Sequence, residues 1–430
     1  MILESLTLQN FRSYKKATFQ FSPETILIIG PNTAGKTNIL EGVMMMATGK
    51  SFRADADREA IRWGSDIGRV TAEIRSGAVR GLNDNGRMTA EVANENFDPS
   101  SVSGLHPPYN QSLRESEAGQ NFVRSPRSRG EQTKLEFVLT NGEVGGQKAP
   151  ALTAVRRGWP LRKYLVNGVP RRMIDFVGNL RAVLFWPEHL ELVTDSPSLR
   201  RKYLDSVLIQ VDREYRRNLL SYERGLRQRN RLLDLINEGK AHRHQLLFWD
   251  QLLIKAGGYL TDKRAQYLDF INEYRVSPRK GLGQTSIDYR VEYDKSVISE
   301  SRLEQYKEEE VAAKATLVGP HRDNFVIAKS QIPNPNDQTR GKAELLDLSK
   351  YGSRGEQRLA VIWLKLAELL FIEQKTGDRP ILLLDDIFSE LDDTHRKLVI
   401  ELIGRQQTIV TSADRDIIHI IPTDTEVVQL

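Results

Sequence analysis

The run Gly30-Pro-Asn-Thr-Ala-Gly35-Lys36-Thr37 has the spacing G-x-x-x-x-G-K-[ST] of a phosphate-binding loop. Its glycines let the backbone wrap so that N–H groups point inward at phosphate oxygens, and the start of the next helix adds partial positive charge. The whole stretch Gly30, Pro31, Asn32, Thr33, Ala34, Gly35, Lys36 and Thr37 is expected to line a nucleoside triphosphate. Lys36 would reach the β- and γ-phosphates, and the Thr37 hydroxyl would bind Mg²⁺. Far downstream, Ile381-Leu-Leu-Leu-Asp385-Asp386 joins four apolar residues to two carboxylates. A strand ending there would set Asp385 beside the phosphate loop as an Mg²⁺ partner and Asp386 as general base.

Two further segments complete a pattern. Ser353 and Gly355, in Leu348-Ser-Lys-Tyr-Gly-Ser-Arg-Gly-Glu-Gln-Arg358, open a helix and make a second anion-receptive terminus. Ser389-Glu-Leu-Asp392 follows the acidic pair. Phosphate loop, signature, acidic strand and this last tetrapeptide occur in the order of an ABC-type ATPase head. In that class one subunit's phosphate loop and a second subunit's signature serine sandwich ATP. One chain with one of each cannot close its own site, so an ATP-dependent homodimer is implied.

These residues need a scaffold. Thr25-Ile-Leu-Ile-Ile29 is continuously apolar, as in a strand buried on both faces, and Asn38–Ala47 reads as the helix after the loop. Alternation in Ile2–Leu8 and Ala17–Phe21 suggests antiparallel strands. Further strands are expected at Ile287–Tyr293, Ile381–Leu384 and Thr408–Thr411, with a helix over Leu345–Gln374. The fold class is α/β: an ABC-type ATPase head with a mixed sheet, plus a mainly helical second lobe. The expected division is head 1–195, helical arm 196–285 and head 286–430. Within the first part, glycine, proline, asparagine and serine make up 27 of residues 80–150, which marks an insertion; only Thr133–Thr140 there alternates like a strand.

Composition narrows the class. The 430 residues contain no cysteine, which excludes disulfide scaffolds, thiolate metal sites and cysteine nucleophiles. No apolar run approaches the ~20 residues that span a bilayer, and no leader is expected, so no membrane partner and a cytoplasmic location are anticipated. The net charge of +5 conceals an asymmetry: residues 196–280 hold 18 Lys plus Arg against 10 Asp plus Glu, a local +8 that leaves −3 elsewhere. Apolar positions recurring every four residues from Leu199 to Leu219, a turn at Glu238–Arg243 and a second stripe from Leu246 to Tyr274 predict two long helices in a hairpin. Arginine, whose planar fork suits phosphate, dominates the positive charge. Arg200, Arg201, Arg216, Arg217, Arg227 and Arg229 are the candidate DNA contacts.

Taken together the motifs closely resemble the RecF family of bacterial recombination and DNA-repair ATPases. The matches are Leu8-Gln-Asn-Phe-Arg-Ser-Tyr14, the phosphate loop continued to Glu41, Gly49-Lys-Ser-Phe-Arg53, Phe185–Val193 with Ser196–Arg201, Gly319-Pro-His-Arg-Asp323 and Leu384–Asp392. The resemblance implies an ATP-gated binder of gapped or single-strand/double-strand junction DNA with slow ATP hydrolysis. It would work with RecR- and RecO-type mediators to load the recombinase, and support the SOS response. A transporter's nucleotide-binding subunit and a non-hydrolysing ATP-gated dimerisation switch are the alternatives. The chain departs from the family pattern in places. Thr33 stands where glycine is usual, so either the loop geometry or the affinity should differ. Thr411-Ser412 replace a switch histidine, Glu188 is the local substitute for a missing glutamine, Asn324 replaces an acid, and His321 is read as structural.

Overall fold

The computed structural model describes residues 1–54, 56–75, 132–141, 162–194, 196–274, 288–330, 345–389, 391, 393–401, 403–422 and 425–430. Most of the expected insertion, both internal domain boundaries and Asp392 therefore lie outside the described residues.

The expected α/β architecture forms around three sheets. The central one is parallel, in the order Glu426–Gln429, Thr25–Ile29, Thr408–Ser412, Ile381–Asp385, Ala182–Phe185. Thr25–Ile29, Ile381–Asp385, Thr408–Ser412 and Ala182–Phe185 are buried at every position, which is why they read as continuous apolar runs instead of alternating ones. Parallel strands carry all their C-terminal ends to one edge, and that edge bears the phosphate loop, Asp385 and Glu188.

A six-stranded antiparallel sheet lies over the phosphate-loop helix, Lys36–Thr48. It runs Tyr14–Gln20, Ile2–Phe11, Ile67–Arg75, Gln132–Thr140, Arg162–Val166, Val169–Arg171. The strand Gln132–Thr140, inside the expected insertion, is a central member with Leu135, Phe137 and Leu139 in the core. The 80–150 boundary is thus corrected: an alternating segment belongs to the sheet even inside a region of loop-like composition. Phe137 stacks on Tyr164 with ring centroids 4.8 Å apart.

The third sheet, Leu345–Asp347, Asn324–Ser330, Asp288–Asp294, corrects another expectation. Leu345–Asp347 is a strand, not the start of a long helix, and the signature helix begins only at Arg354. Gly352 turns the chain so tightly that a Cβ there would lie 2.6 Å from the Leu348 carbonyl. Ser353 and Glu356 then close a capping box, Glu356 N–H to Ser353 Oγ at 3.3 Å and Ser353 N–H to Glu356 Oε2 at 2.8 Å. Such a cap contributes about 0.5–2 kcal/mol and fixes the helix start.

The arm is three helices, not two. The helix is interrupted at Asp212, dividing Pro197–Val211 from Arg213–Asn237. Asp212 has extended backbone and its carboxylate accepts the Tyr215 N–H at 2.9 Å, an N-cap that outweighs a continuous apolar stripe. Arg213–Asn237 and Leu247–Glu273 form the expected antiparallel hairpin.

Candidate nucleotide site and arm surface

The phosphate loop has the backbone its chemistry needs. Thr33 lies at φ 75° and Gly35 at φ 100°. The Thr33 substitution therefore leaves a left-handed loop in place, at a local cost of order 1–3 kcal/mol. Lys36 is buried, and its Nζ donates to the carbonyls of Gly30 at 2.7 Å and Pro31 at 3.0 Å.

Sheet register brings Asp385 to this loop. Its neighbour across the parallel pair is Thr411, and two hydroxyls converge on one carboxylate oxygen: Thr411 Oγ1 donates to Asp385 Oδ1 at 2.6 Å and Thr37 Oγ1 at 3.0 Å. Thr411 also accepts the Asp386 N–H, through its carbonyl at 3.1 Å and its Oγ1 at 3.2 Å. Asp386 sits at φ 49°, and its carbonyl accepts the Ser389 hydroxyl at 2.7 Å. The backbone at this strand tip is thus strained and held from both sides. Glu188, in the turn after Ala182–Phe185, has its carboxyl pushed up by burial and by the negative charge of Asp385.

These residues fit a nucleoside triphosphate with Mg²⁺. The loop is left-handed at Thr33 and Gly35, and Thr37 with Asp385 supplies the hard oxygen donors Mg²⁺ prefers. Ser353 and Gly355 stand apart. Ser353 is exposed, a Cβ on Gly355 would meet only the Ser353 hydroxyl at 4.0 Å, and among the described residues no hydrogen bond joins either to the phosphate loop.

Two participants have no role assigned from the sequence. Thr411 reads in sequence only as an absent histidine, although a hydroxyl at the C-terminal end of a parallel strand is itself a signal. The other is a clamp behind the loop. Buried Glu41, on the phosphate-loop helix, accepts Arg12 Nε at 2.9 Å, Arg12 Nη2 at 2.6 Å and the Ser51 hydroxyl. His321 is structural as expected: its Nε2–H donates to the Thr316 carbonyl at 2.9 Å and its Nδ1 accepts the Tyr222 hydroxyl at 2.8 Å. Burial pulls its pKa down to about 4.

The arm's arginines divide into two sets, and half of the candidates must be withdrawn as surface contacts. Arg200 is buried and donates to the carbonyls of Leu192 at 2.7 Å and Val193 at 2.9 Å, and to Asn324 at 3.0 Å. Arg216 is buried against the carbonyls of Ile174 and Ile209. Arg229, also buried, pairs with Asp250 at 2.6 Å and Glu310 at 2.7 Å. A buried guanidinium spends its donors on such partners, which composition cannot reveal. Arg201 is half-buried, donating to the Asp323 carbonyl at 2.9 Å. Arg217 and Arg227 are exposed, and they belong to a stripe of exposed arginines at 213, 217, 224, 227 and 231. Steps of three, four and seven keep all five on one helix face, about 27 Å long at 1.5 Å per residue. It points away from the face carrying buried Tyr215, Leu219, Tyr222 and Leu233.

The arm is welded to the rest by Arg264. It donates to Asp205 at 2.8 Å, Asp323 at 2.9 Å, the Pro320 carbonyl at 2.7 Å and the Tyr215 hydroxyl at 3.0 Å. Asp323, the last residue of the Gly-Pro-His-Arg-Asp run, is fully buried and also accepts the Ser296 N–H at 2.7 Å.

Comparison with known proteins agrees with this geometry. Residues 5–138 match a family described as an AAA domain. The chain is 31% identical over 417 residues to the DNA replication and repair protein RecF of Lachnoclostridium phytofermentans, covering 96% of this chain and 92% of that protein. It is 32% identical over 427 residues to RecF of Herpetosiphon aurantiacus, covering 97% and 94%. The fold aligns with a solved structure of the recombination mediator protein RecF-ATPrS in the RecFOR pathway, at a TM-score of 0.70 and 24% identity over 98% of this chain and 94% of that one. Near-complete coverage at this identity excludes the transporter alternative, and the chain belongs to the RecF family of DNA replication and repair proteins.

Proposed function

We propose that this chain is an ATP-dependent DNA-binding protein of recombinational repair, which dimerises with ATP and Mg²⁺ on gapped or junction DNA and hydrolyses ATP slowly. The observation that carries the reading is the split site. Thr37, Asp385, Asp386 and Thr411 are gathered in one cluster, whereas Ser353, at the exposed start of its helix, makes no bond to the loop among the described residues. A second copy would bring its Ser353 to the first copy's phosphates, so that ATP is held between two chains.

Bound Mg²⁺ would neutralise charge on the transferring phosphate. Lys36 would balance the β- and γ-phosphate charge, Thr37 and Asp385 would hold the metal, and Asp386 would accept a proton from water. The exposed arginine stripe supports phosphate contacts that position the protein without reading sequence. Helping RecR- and RecO-type mediators to load the recombinase is the cellular role that this arrangement and the family favour. Sizing the purified protein with and without ATP–Mg²⁺, and with a gapped duplex, tests the reading. A dimer is expected only with nucleotide; Ser353→Arg should leave nucleotide binding by the monomer intact and abolish the dimer.

A further inference from the structure

Lys365 and Glu368, on the signature helix Arg354–Thr376, are both buried, and Lys365 Nζ donates to Glu368 Oε2 at 2.9 Å. Burial pulls the Lys365 pKa down and pushes the Glu368 carboxyl up, each opposed by the partner's charge. Two ions taken out of water in this way seldom add stability over an apolar pair of the same size. Packing alone therefore gives no reason for them.

Three elements meet at this pair. Lys365 Nζ stands 4.9 Å from the centre of the Tyr203 ring, on the helix Pro197–Val211. The Tyr203 hydroxyl lies 2.7 Å from that of Tyr267, on the arm helix Leu247–Glu273, and 3.4 Å from the Leu364 carbonyl of the signature helix. The third element is the turn Pro187–Leu190, which packs against the signature helix and carries Glu188, whose carboxyl feels the charge of Asp385. In that turn burial and the Lys365 ammonium together pull the His189 pKa well below its ordinary value.

The arm side of the pair is stiff. The two helices that Tyr203 and Tyr267 join are joined again, within one turn, by Asp205 and Arg264. Leu247–Glu273 also lies along Arg213–Asn237, the helix of the exposed arginines, with Leu252 and Leu253 against Gly225. A load on the arginine stripe is thus passed through two packed helices to Tyr267, and with Tyr203 it bears on the signature helix at Lys365.

We propose that Lys365 and Glu368 are positioning residues that transmit the seating of DNA on the arm to the turn carrying Glu188, and so set the rate of ATP turnover. This rests on the ATP and DNA readings above and adds to them a route inside one chain. Couplings between two sites span roughly 5- to 150-fold, and DNA is expected to raise the turnover number by a factor in that range.

The test measures ATP turnover of the full chain with and without a gapped duplex. It compares the unaltered protein with Lys365→Met/Glu368→Leu, which removes both charges together and strands neither. The double variant should melt no lower than the unaltered protein, bind ATP and the duplex with unaltered affinity, and lose the DNA-driven rise in kcat at an unchanged KM. Full DNA stimulation in the folded double variant would overturn the proposal. So would a loss of duplex affinity, a fall in turnover of equal size with and without DNA, or an unaltered protein whose rate DNA does not change. Tyr203→Phe keeps the ring beside Lys365 and removes the hydroxyl, and it should lose part of the stimulation. If the double variant does not fold, this one carries the test, and full stimulation in it refutes the route. Failure of the underlying readings shows separately: turnover that survives Lys36→Ala removes the ATP reading, and an unaltered protein that does not bind the duplex removes the DNA reading.

Discussion

Thr411 and Asp385, on neighbouring parallel strands, are joined by a 2.6 Å hydrogen bond, and the same threonine accepts the Asp386 N–H. One residue thus holds the carboxylate of Asp385 and the backbone of Asp386. Thr411→Val removes the donor while keeping the shape. Mg²⁺-dependent ATP affinity should fall several-fold, with a stability loss of about 1–2 kcal/mol from the missing hydrogen bonds. Titration with and without Mg²⁺ checks the first, and denaturant melts check the second.

Asp386→Asn keeps the strand-tip geometry and removes the base. ATP turnover should drop by two orders of magnitude or more, and the nucleotide-bound dimer should persist. Phosphate release and size-exclusion chromatography report the two effects separately; undiminished turnover would assign the base elsewhere.

The two sets of arm arginines should behave oppositely. Arg224→Ala, Arg227→Ala and Arg231→Ala should leave folding intact. Each removes one exposed cation of the proposed DNA face, and each should make the slope of log affinity against log salt shallower by about 0.9. Arg229→Ala strands the buried Glu310 carboxylate, and a cost of about 3–5 kcal/mol is expected. Salt titrations of DNA binding and thermal melts distinguish them.

Stability should decline on acidification from neutral pH. His321 has its folded pKa near 4, depressed by burial and by the nearby cations Arg322, Arg201 and Arg229. The unfolded chain, with an ordinary histidine near 6.5, therefore binds more protons between about pH 6.5 and 4. The contribution is complete above pH 6.5 and declines as pH falls through that window, on the order of 2–3 kcal/mol. His189, likewise depressed by burial, adds to the same slope. Melting temperature followed from pH 7.5 to 5 should show the decline, and His321→Gln should flatten part of it.

The parallel strands and the phosphate-loop helix are legible in the sequence because burial on both faces and glycine spacing are local signals. The acidic pair is legible because its strand is apolar up to the residue before Asp385. What fails is long-range. Whether Arg216 faces water or the Ile209 carbonyl depends on packing between helices, not on the arginine's neighbours in sequence. The interruption at Asp212 is written in the sequence, but an unbroken apolar stripe hides it. Thr411 acts across a strand pairing, and the Arg12–Glu41 clamp across a turn-to-helix contact, neither of which periodicity can predict.

The Thr37–Asp385 hydrogen bond closes a span of 348 residues. At ribosomal speeds of about 5–20 residues per second, the phosphate loop would wait roughly 20–70 s for its carboxylate. During that interval the nascent chain has a place for phosphates and no acid beside it. Assembly of the nucleotide site is therefore a late event in biosynthesis, and a prematurely terminated product would be inert toward metal-assisted turnover.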